Sequence, residues 1–151
     1  MTLIDKPKDA RAAQPREGQH FVFPEADWAL YEQIGQRLAD RRVFVTFYKG
    51  RLEIVTISFL HERIVGLLIT IVRVLAEETD TPLAGAGMAT LRRRELDEGV
   101  QADASFYIAN EATMRGSKQI DLDTDPPPDL AIEVEVTSRL GARKTIYQDL
   151  G

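Results

Sequence analysis

The sequence of 151 residues contains no cysteine and only two histidines. The lack of cysteine excludes a disulfide framework, a cysteine-ligated zinc site and thiol catalysis. The sequence also lacks a long uncharged apolar run, because the longest apolar stretch, Ile64 to Ala76, contains Arg73. A membrane span needs roughly 18 uncharged residues, so no span is expected. What remains is one ordinary domain, long enough to bury a core without a structural metal.

The N-terminal residues 1–20 are polar and mixed in charge, with few large apolar side chains. This composition predicts a flexible arm and not a signal peptide or a membrane anchor. Residues 21–151 are predicted to form the folded domain. Without a targeting or membrane signal, the expected location is the cytoplasm.

The net charge of −5 is spread unevenly along the chain. Residues 1–75 carry 11 basic and 9 acidic side chains, whereas residues 76–151 carry 8 basic and 15 acidic ones. An acidic chain argues against indiscriminate nucleic-acid binding through a broad basic face. A site that binds metal must be acidic locally, however, so the net charge does not exclude one.

The hydrophobic periodicity changes several times along the chain. A helix is predicted from Trp28 to about Asp40, and two β-rich runs around Lys49-Gly50 predict a hairpin over 43–56. From Ser58 a wide apolar stripe at helical spacing predicts the main buried helix. Strands are predicted over 83–94, 100–108 and 130–136, and a final helix over 140–150. This order predicts an α/β or α+β domain with a mixed central sheet flanked by helices.

Three carboxylates interrupt the predicted strands. Asp103 lies in one strand-forming run, and Glu133 and Glu135 alternate with apolar residues in another. Alternation places the two glutamates on one face of their strand, where they either face water or belong to a site. Carboxylates are rarely buried unless they are paired or bind a metal. An aspartate and a glutamate on adjacent strands can bind one hard cation such as Mg²⁺.

Three segments, Gly99–Asn110, Asp125–Ser138 and Lys144–Gly151, closely resemble the Uma-type restriction endonuclease family of the PD-(D/E)XK nuclease superfamily. The resemblance reaches back to Trp28. Its most specific part is the stretch Pro127–Val134 combined with a downstream lysine and tyrosine. The resemblance implies a restriction-endonuclease-like core with a shortened C-terminal part.

Roles follow from the resemblance residue by residue. Asp103 and Glu133 match the two acidic metal ligands of the superfamily, and the implied cofactor is Mg²⁺ or Mn²⁺. Glu135 falls where the superfamily places a catalytic lysine, and Lys144 on the following helix is the candidate replacement. His61, at the start of the long helix, matches a residue with a supporting or base role.

The resemblance implies a metal-dependent endonuclease that hydrolyses DNA phosphodiester bonds. Apart from the resemblance, a homodimer is one expected assembly. The alternative is a catalytically inactive nuclease-fold protein that acts as a binding or regulatory module. A glutamate in the lysine position and the net acidity favour that alternative. A sugar hydrolase that uses Glu133 and Glu135 is a poor third hypothesis, because two residues on one strand do not form an opposed pair across a substrate.

Overall fold

The computed structural model describes residues 18–136 and 141–151. Eight strands and four helices follow one another in these residues, together with a short 3₁₀ turn at Arg94–Leu96. In chain order they are β1 (His20–Phe23), α1 (Trp28–Leu38), β2 (Val43–Tyr48), β3 (Arg51–Thr56), α2 (Phe59–Glu78), β4 (Ala84–Gly87), β5 (Thr90–Arg93), β6 (Glu98–Gln101), β7 (Ala104–Tyr107), α3 (Glu111–Met114), β8 (Leu130–Ile132) and α4 (Arg143–Leu150).

The described strands form two sheets. A five-stranded sheet has the order β1-β3-β2-β6-β5, and a three-stranded sheet has the order β4-β7-β8. Every pairing in the described part of the chain is antiparallel. The predicted α+β class with helices around sheet structure is confirmed. The expected arrangement was a single mixed sheet, but the structure has two separate sheets. The run predicted as one strand over 100–108 forms two strands, β6 in the first sheet and β7 in the second.

The first core lies between α1 and the β2–β3 hairpin. Asp27 caps α1 by accepting a hydrogen bond from the backbone amide of Leu30 at 2.7 Å. Tyr31 stacks on Phe47, with ring centroids 5.4 Å apart, and Trp28 meets both rings edge-on. The predicted helix and hairpin are therefore confirmed, and they fix the sheet that carries Phe44 of the site described below.

The second core docks the C-terminal helix. Ile146 and Leu150 of α4 are buried against Leu91 of β5 and Val100 of β6. These positions recur at helical spacing, so the same face of α4 also carries residues 143 and 147. The packing of α4 therefore decides which of its polar side chains can reach the sheet.

Helix α2 differs from its predicted burial. Ser58 caps it as the sequence indicates, accepting from the amide of His61 at 3.1 Å. No residue of α2 is buried, however, so the prediction of a main buried helix is wrong. Apolar residues such as Leu67 and Leu75 lie on a side of α2 that stays exposed in the described residues, and the rest of the helix is at most half-buried. None of the helices in the described residues has both the length and the apolarity of a membrane-spanning segment.

The predicted arm, residues 1–20, lies mostly outside the described residues. Its last residue, His20, is the first residue of β1 and pairs with Val55 of β3. Strand structure therefore begins one residue before the boundary predicted at residue 21.

Candidate functional site

Asp103 lies where the chain passes from one sheet to the other. The strand predicted over 100–108 stops at Gln101 in the five-stranded sheet and resumes at Ala104 in the three-stranded sheet. Asp103 stands in this break, and its side chain is only 1% exposed. Its Oδ2 accepts a hydrogen bond from the backbone amide of Val134 at 2.5 Å. The Asp103 carboxylate thus accepts the hydrogen bond that a backbone carbonyl of a neighbouring strand would otherwise accept. This explains why the β-sheet hydrogen bonding is interrupted at Asp103.

Glu133 follows β8 directly and is 10% exposed in its side chain. The register of β7 and β8 pairs Ala104 with Ile132, so its continuation places Asp103 opposite Glu133. Directly opposed residues of antiparallel strands have their side chains on the same face. The negative charge of Asp103 also raises the pKa of Glu133. The structure thus brings the two predicted acidic residues together.

Glu135 does not share the position of Glu133. Strand β8 ends at Ile132. Beyond this residue, the backbone amide of Val134 donates to the Asp103 carboxylate and not to a carbonyl of β7. The expectation that both glutamates lie on one face of a continuous strand over 130–136 is therefore wrong. Glu135 is exposed, whereas Glu133 is largely buried.

Asp129 fixes the strand that leads to Glu133. Its carboxylate accepts hydrogen bonds from the backbone amides of Ile108 at 2.6 Å and Asn110 at 3.3 Å. These bonds lower the pKa of Asp129. Asp129 belongs to the stretch Pro127–Val134 that carries the family resemblance. Its hydrogen bonds hold β8 beside the end of β7, in the register that places Asp103 opposite Glu133.

His61 reaches Asp103 from the first turn of α2. Its Nε2 lies 3.2 Å from Asp103 Oδ1, and its ring meets Phe44 edge-on with centroids 5.7 Å apart. The side chain is 13% exposed. The cap by Ser58 sets the start of α2 and so places this histidine, which the sequence singled out, at the site.

Arg143, and not Lys144, reaches the site from α4. Arg143 Nη2 donates to Glu133 Oε1 at 2.9 Å and to the backbone carbonyl of Gln101 at 2.5 Å. Its guanidinium lies 5.3 Å from the centroid of the Phe44 ring. Lys144 is exposed because it is rotated about 100° away from the face that docks α4. The expectation that Lys144 supplies the site's cation is not supported by its position.

Tyr147, one turn after Arg143, donates its hydroxyl to the same Glu133 Oε1. Burial, followed by the charge of Glu133, raises the pKa of Tyr147, so its hydroxyl remains a donor. Burial also raises the pKa of Glu133 to about 7, although the Arg143 guanidinium and the Tyr147 hydroxyl act in the opposite direction. Burial thus favours the neutral form of Glu133.

The site offers carboxylate oxygens to a hard cation. Asp103 Oδ1 is buried and accepts no well-aligned hydrogen bond within the described chain, although His61 Nε2 lies 3.2 Å from it, and a second carboxylate, Glu133, stands opposite it. No three histidine, aspartate or glutamate side chains group as metal ligands in the described residues. Mg²⁺ is often bound through one or two carboxylates and keeps several water ligands. Asp103 and Glu133 therefore fit such an ion.

Arg143 and Phe44 belong to the site but were not among the site residues predicted from the sequence. A signal for Arg143 was present, because Ile146, Tyr147 and Leu150 define the inner face of α4, and residue 143 lies on that face at i−3 and i−4. No pattern marked Phe44, since an aromatic residue in a β-hairpin is ordinarily part of a core.

One family model, with the description Uma2, putative restriction endonuclease, matches residues 28–151 of the chain. The match covers both sheets except β1, and it includes all the residues of the site. The comparisons with curated proteins and with solved structures give no match.

Proposed function

This chain belongs to the Uma2 family of putative restriction endonucleases, and on that premise we propose that it is a metal-dependent endonuclease that hydrolyses DNA phosphodiester bonds. The observation that carries the proposal is the opposition of two buried carboxylates, Asp103 and Glu133, at the junction of the two sheets. Buried carboxylates without a full set of partners are costly, and a bound cation offsets that cost.

Asp103 and Glu133 are the proposed ligands of Mg²⁺ or Mn²⁺. A divalent cation held there supplies positive charge to the scissile phosphate and lowers the pKa of a water molecule. The protein keeps Asp103 in place through the Val134 amide and keeps Glu133 in place through Arg143 and Tyr147. Both carboxylates are thus oriented before a cation arrives, which reduces the cost of ordering them.

Arg143 is the proposed charge-stabilising residue. It lies beside the second acidic ligand, Glu133, and arginine side chains in general carry their positive charge at every accessible pH. It therefore offsets negative charge on a phosphate and does not remove a proton. His61, next to Asp103, is proposed to orient this carboxylate, since its ring is held between Phe44 and Asp103.

A cleft beside the site supports DNA as the substrate. It has a volume of about 690 Å³, and its walls include the cationic residues Arg41, Arg92 and Lys118 together with the acidic Glu32, whereas Asp103 and Glu133 lie outside it. Phe44 lines the cleft and also contacts His61 and Arg143 of the site. Cations along a groove attract the phosphate backbone irrespective of base sequence. With DNA as the substrate, the proposed location is the cytoplasm and the proposed active assembly is a homodimer.

Metal binding tests the site without any need for cleavage. At a metal concentration about ten times the Kd, we expect Mg²⁺ or Mn²⁺ to raise Tm by about 3–6 °C, because only the folded state holds both carboxylates together. Asp103→Asn should abolish this rise, since the amide still accepts from Val134 but carries no charge. Glu135→Gln is the matched control, and it should keep the full rise because Glu135 is exposed.

Differential scanning fluorimetry of the three proteins over a metal titration gives the answer. Equal shifts in wild type and Asp103→Asn would assign the metal to some other site. No shift in the wild type at any metal concentration would favour the alternative, in which the nuclease fold serves as a binding or regulatory module.

A further inference from the structure

The side of α2 that faces away from the sheet is an exposed apolar surface. Leu60, Leu67, Ile71 and Val74 are between 45% and 60% exposed, and Gly66 has open space around its Cα. On another side of the helix, about 100° around from this surface, His61 contacts Phe44. We call this surface the outer face of α2; it is built from the exposed residues Leu60, Arg63, Leu67, Thr70, Ile71, Val74 and Glu77 and the half-buried Ile64 at its edge.

The outer face is longer than a surface helix ordinarily exposes. The helix has 20 residues, and therefore a length of about 30 Å. Soluble proteins rarely leave a contiguous apolar strip of this length open to water, and such strips mark interaction surfaces.

The spacing on the outer face is that of a coiled-coil seam. Its apolar residues Leu60, Ile64, Leu67, Ile71 and Val74 follow one another at intervals of four, three, four and three. This alternation is the heptad pattern, in which Ile64 and Ile71 take a positions while Leu60, Leu67 and Val74 take d positions. The seam therefore fits the same kind of surface on another helix.

The charges beside the seam identify the second helix as another copy of α2 in antiparallel orientation. Arg63 and Glu77 both occupy g positions, seven residues before and seven residues after Thr70, which is itself a g residue. In an antiparallel pair the g positions face each other, so Arg63 of each copy meets Glu77 of the other. A parallel pair would instead place Arg63 beside the e position Leu68, which offers no charge.

We infer that the outer face of α2 is the interface of an antiparallel, two-fold symmetric homodimer. Leu67 of one copy packs against Ile71 of the other on either side of the axis, and two Arg63–Glu77 ion pairs close the ends. The small residues Gly66 and Thr70 near the axis let the helices approach closely. This interface gives the proposed homodimer a specific surface, but it rests on α2 alone and does not depend on nuclease activity.

A charge-swap experiment tests the interface. Arg63→Glu replaces two attractive pairs with two repulsive ones, so we expect it to weaken the dimer about tenfold, and Glu77→Arg should do the same. The double variant Arg63→Glu/Glu77→Arg should restore wild-type dimerisation because the pairs are re-formed with exchanged signs. Arg37→Glu on the exposed side of α1 is the control for charge alone.

Sedimentation velocity over a range of protein concentrations measures the dimer Kd of each variant. Leu67→Glu should leave only monomer, and circular dichroism should show that its helix content is unchanged, since Leu67 is exposed in the monomer. A wild type that is monomeric at roughly 100 µM would overturn the inference. A dimer Kd that is the same in wild type, Arg63→Glu and Glu77→Arg would also overturn the inference. This result holds even if Leu67→Glu fails to fold.

Discussion

Arg143→Ala is expected to slow metal-dependent DNA cleavage by about 10²- to 10³-fold, whereas Lys144→Ala should stay within about twofold of wild type. Arg143 contacts Glu133 and Gln101 and lies over Phe44, so its charge is fixed beside the two carboxylates. Lys144 is exposed on the other side of the same helix. A charge fixed near the reacting phosphate stabilises the transition state far more than a mobile charge in water.

Two measurements separate this role from a structural one. The rise in Tm with metal concentration measures how tightly Arg143→Ala binds the metal. We expect this variant to bind the metal as tightly as wild type or more tightly, because removing a cation leaves more negative charge for the metal. Arg143→Lys should recover part of the lost rate, since it keeps the charge but loses the planar donor geometry. Equal cleavage by Arg143→Ala and wild type, or a large loss in Lys144→Ala, would contradict the assignment.

Glu133 is expected to make the metal-free protein less stable as the pH rises, with an effect of up to about 3 kcal/mol. Its pKa is about 7 in the folded protein against 4.5 without burial. Between these two values the folded state holds a proton that the unfolded state has lost. The contribution is therefore complete below pH 4.5, declines as the pH rises, and is lost above about 7.

The variant Glu133→Gln isolates this effect. Burial and the nearby Asp149 also raise the pKa of Glu98, so the total pH profile contains more than one carboxyl group. The difference between wild type and Glu133→Gln removes such shared contributions. We expect urea unfolding at several pH values to show the variant gaining stability relative to wild type from pH 4.5 to pH 7. Parallel profiles would mean that Glu133 is ionised throughout this range in the folded protein.

The local elements were predictable because neighbouring residues determine them. The helix that begins at Trp28 and the hairpin around Lys49-Gly50 each follow from short-range periodicity and turn chemistry, and both are found where they were expected. The α+β class follows from their order. Asp103 and Glu133 were also recognisable, since a carboxylate within an apolar strand demands an explanation.

Long-range interactions decided the features that were not predicted. The strand over 100–108 breaks because the Asp103 side chain binds an amide from a segment thirty-one residues away. The burial of α2 could not be predicted from its apolar stripe, because the number of covered faces depends on what packs against the helix. The spacing of Ile146 and Leu150 places Arg143, and not Lys144, on the inner face of α4, but the contact of that face with Glu133 depends on how α4 docks.

Cleavage of supercoiled plasmid DNA by wild type and Asp103→Asn, in Mn²⁺ or Mg²⁺ and in excess chelator, tests the central claim most directly. The site described here predicts nicking by the wild type that requires the metal, and a loss of about 10³-fold or more in Asp103→Asn with the fold intact. Glu135→Gln, purified in parallel, should cleave like the wild type. Wild-type protein that binds the metal but cleaves no DNA, or Asp103→Asn protein that cleaves as fast as the wild type, would contradict the proposed nuclease site.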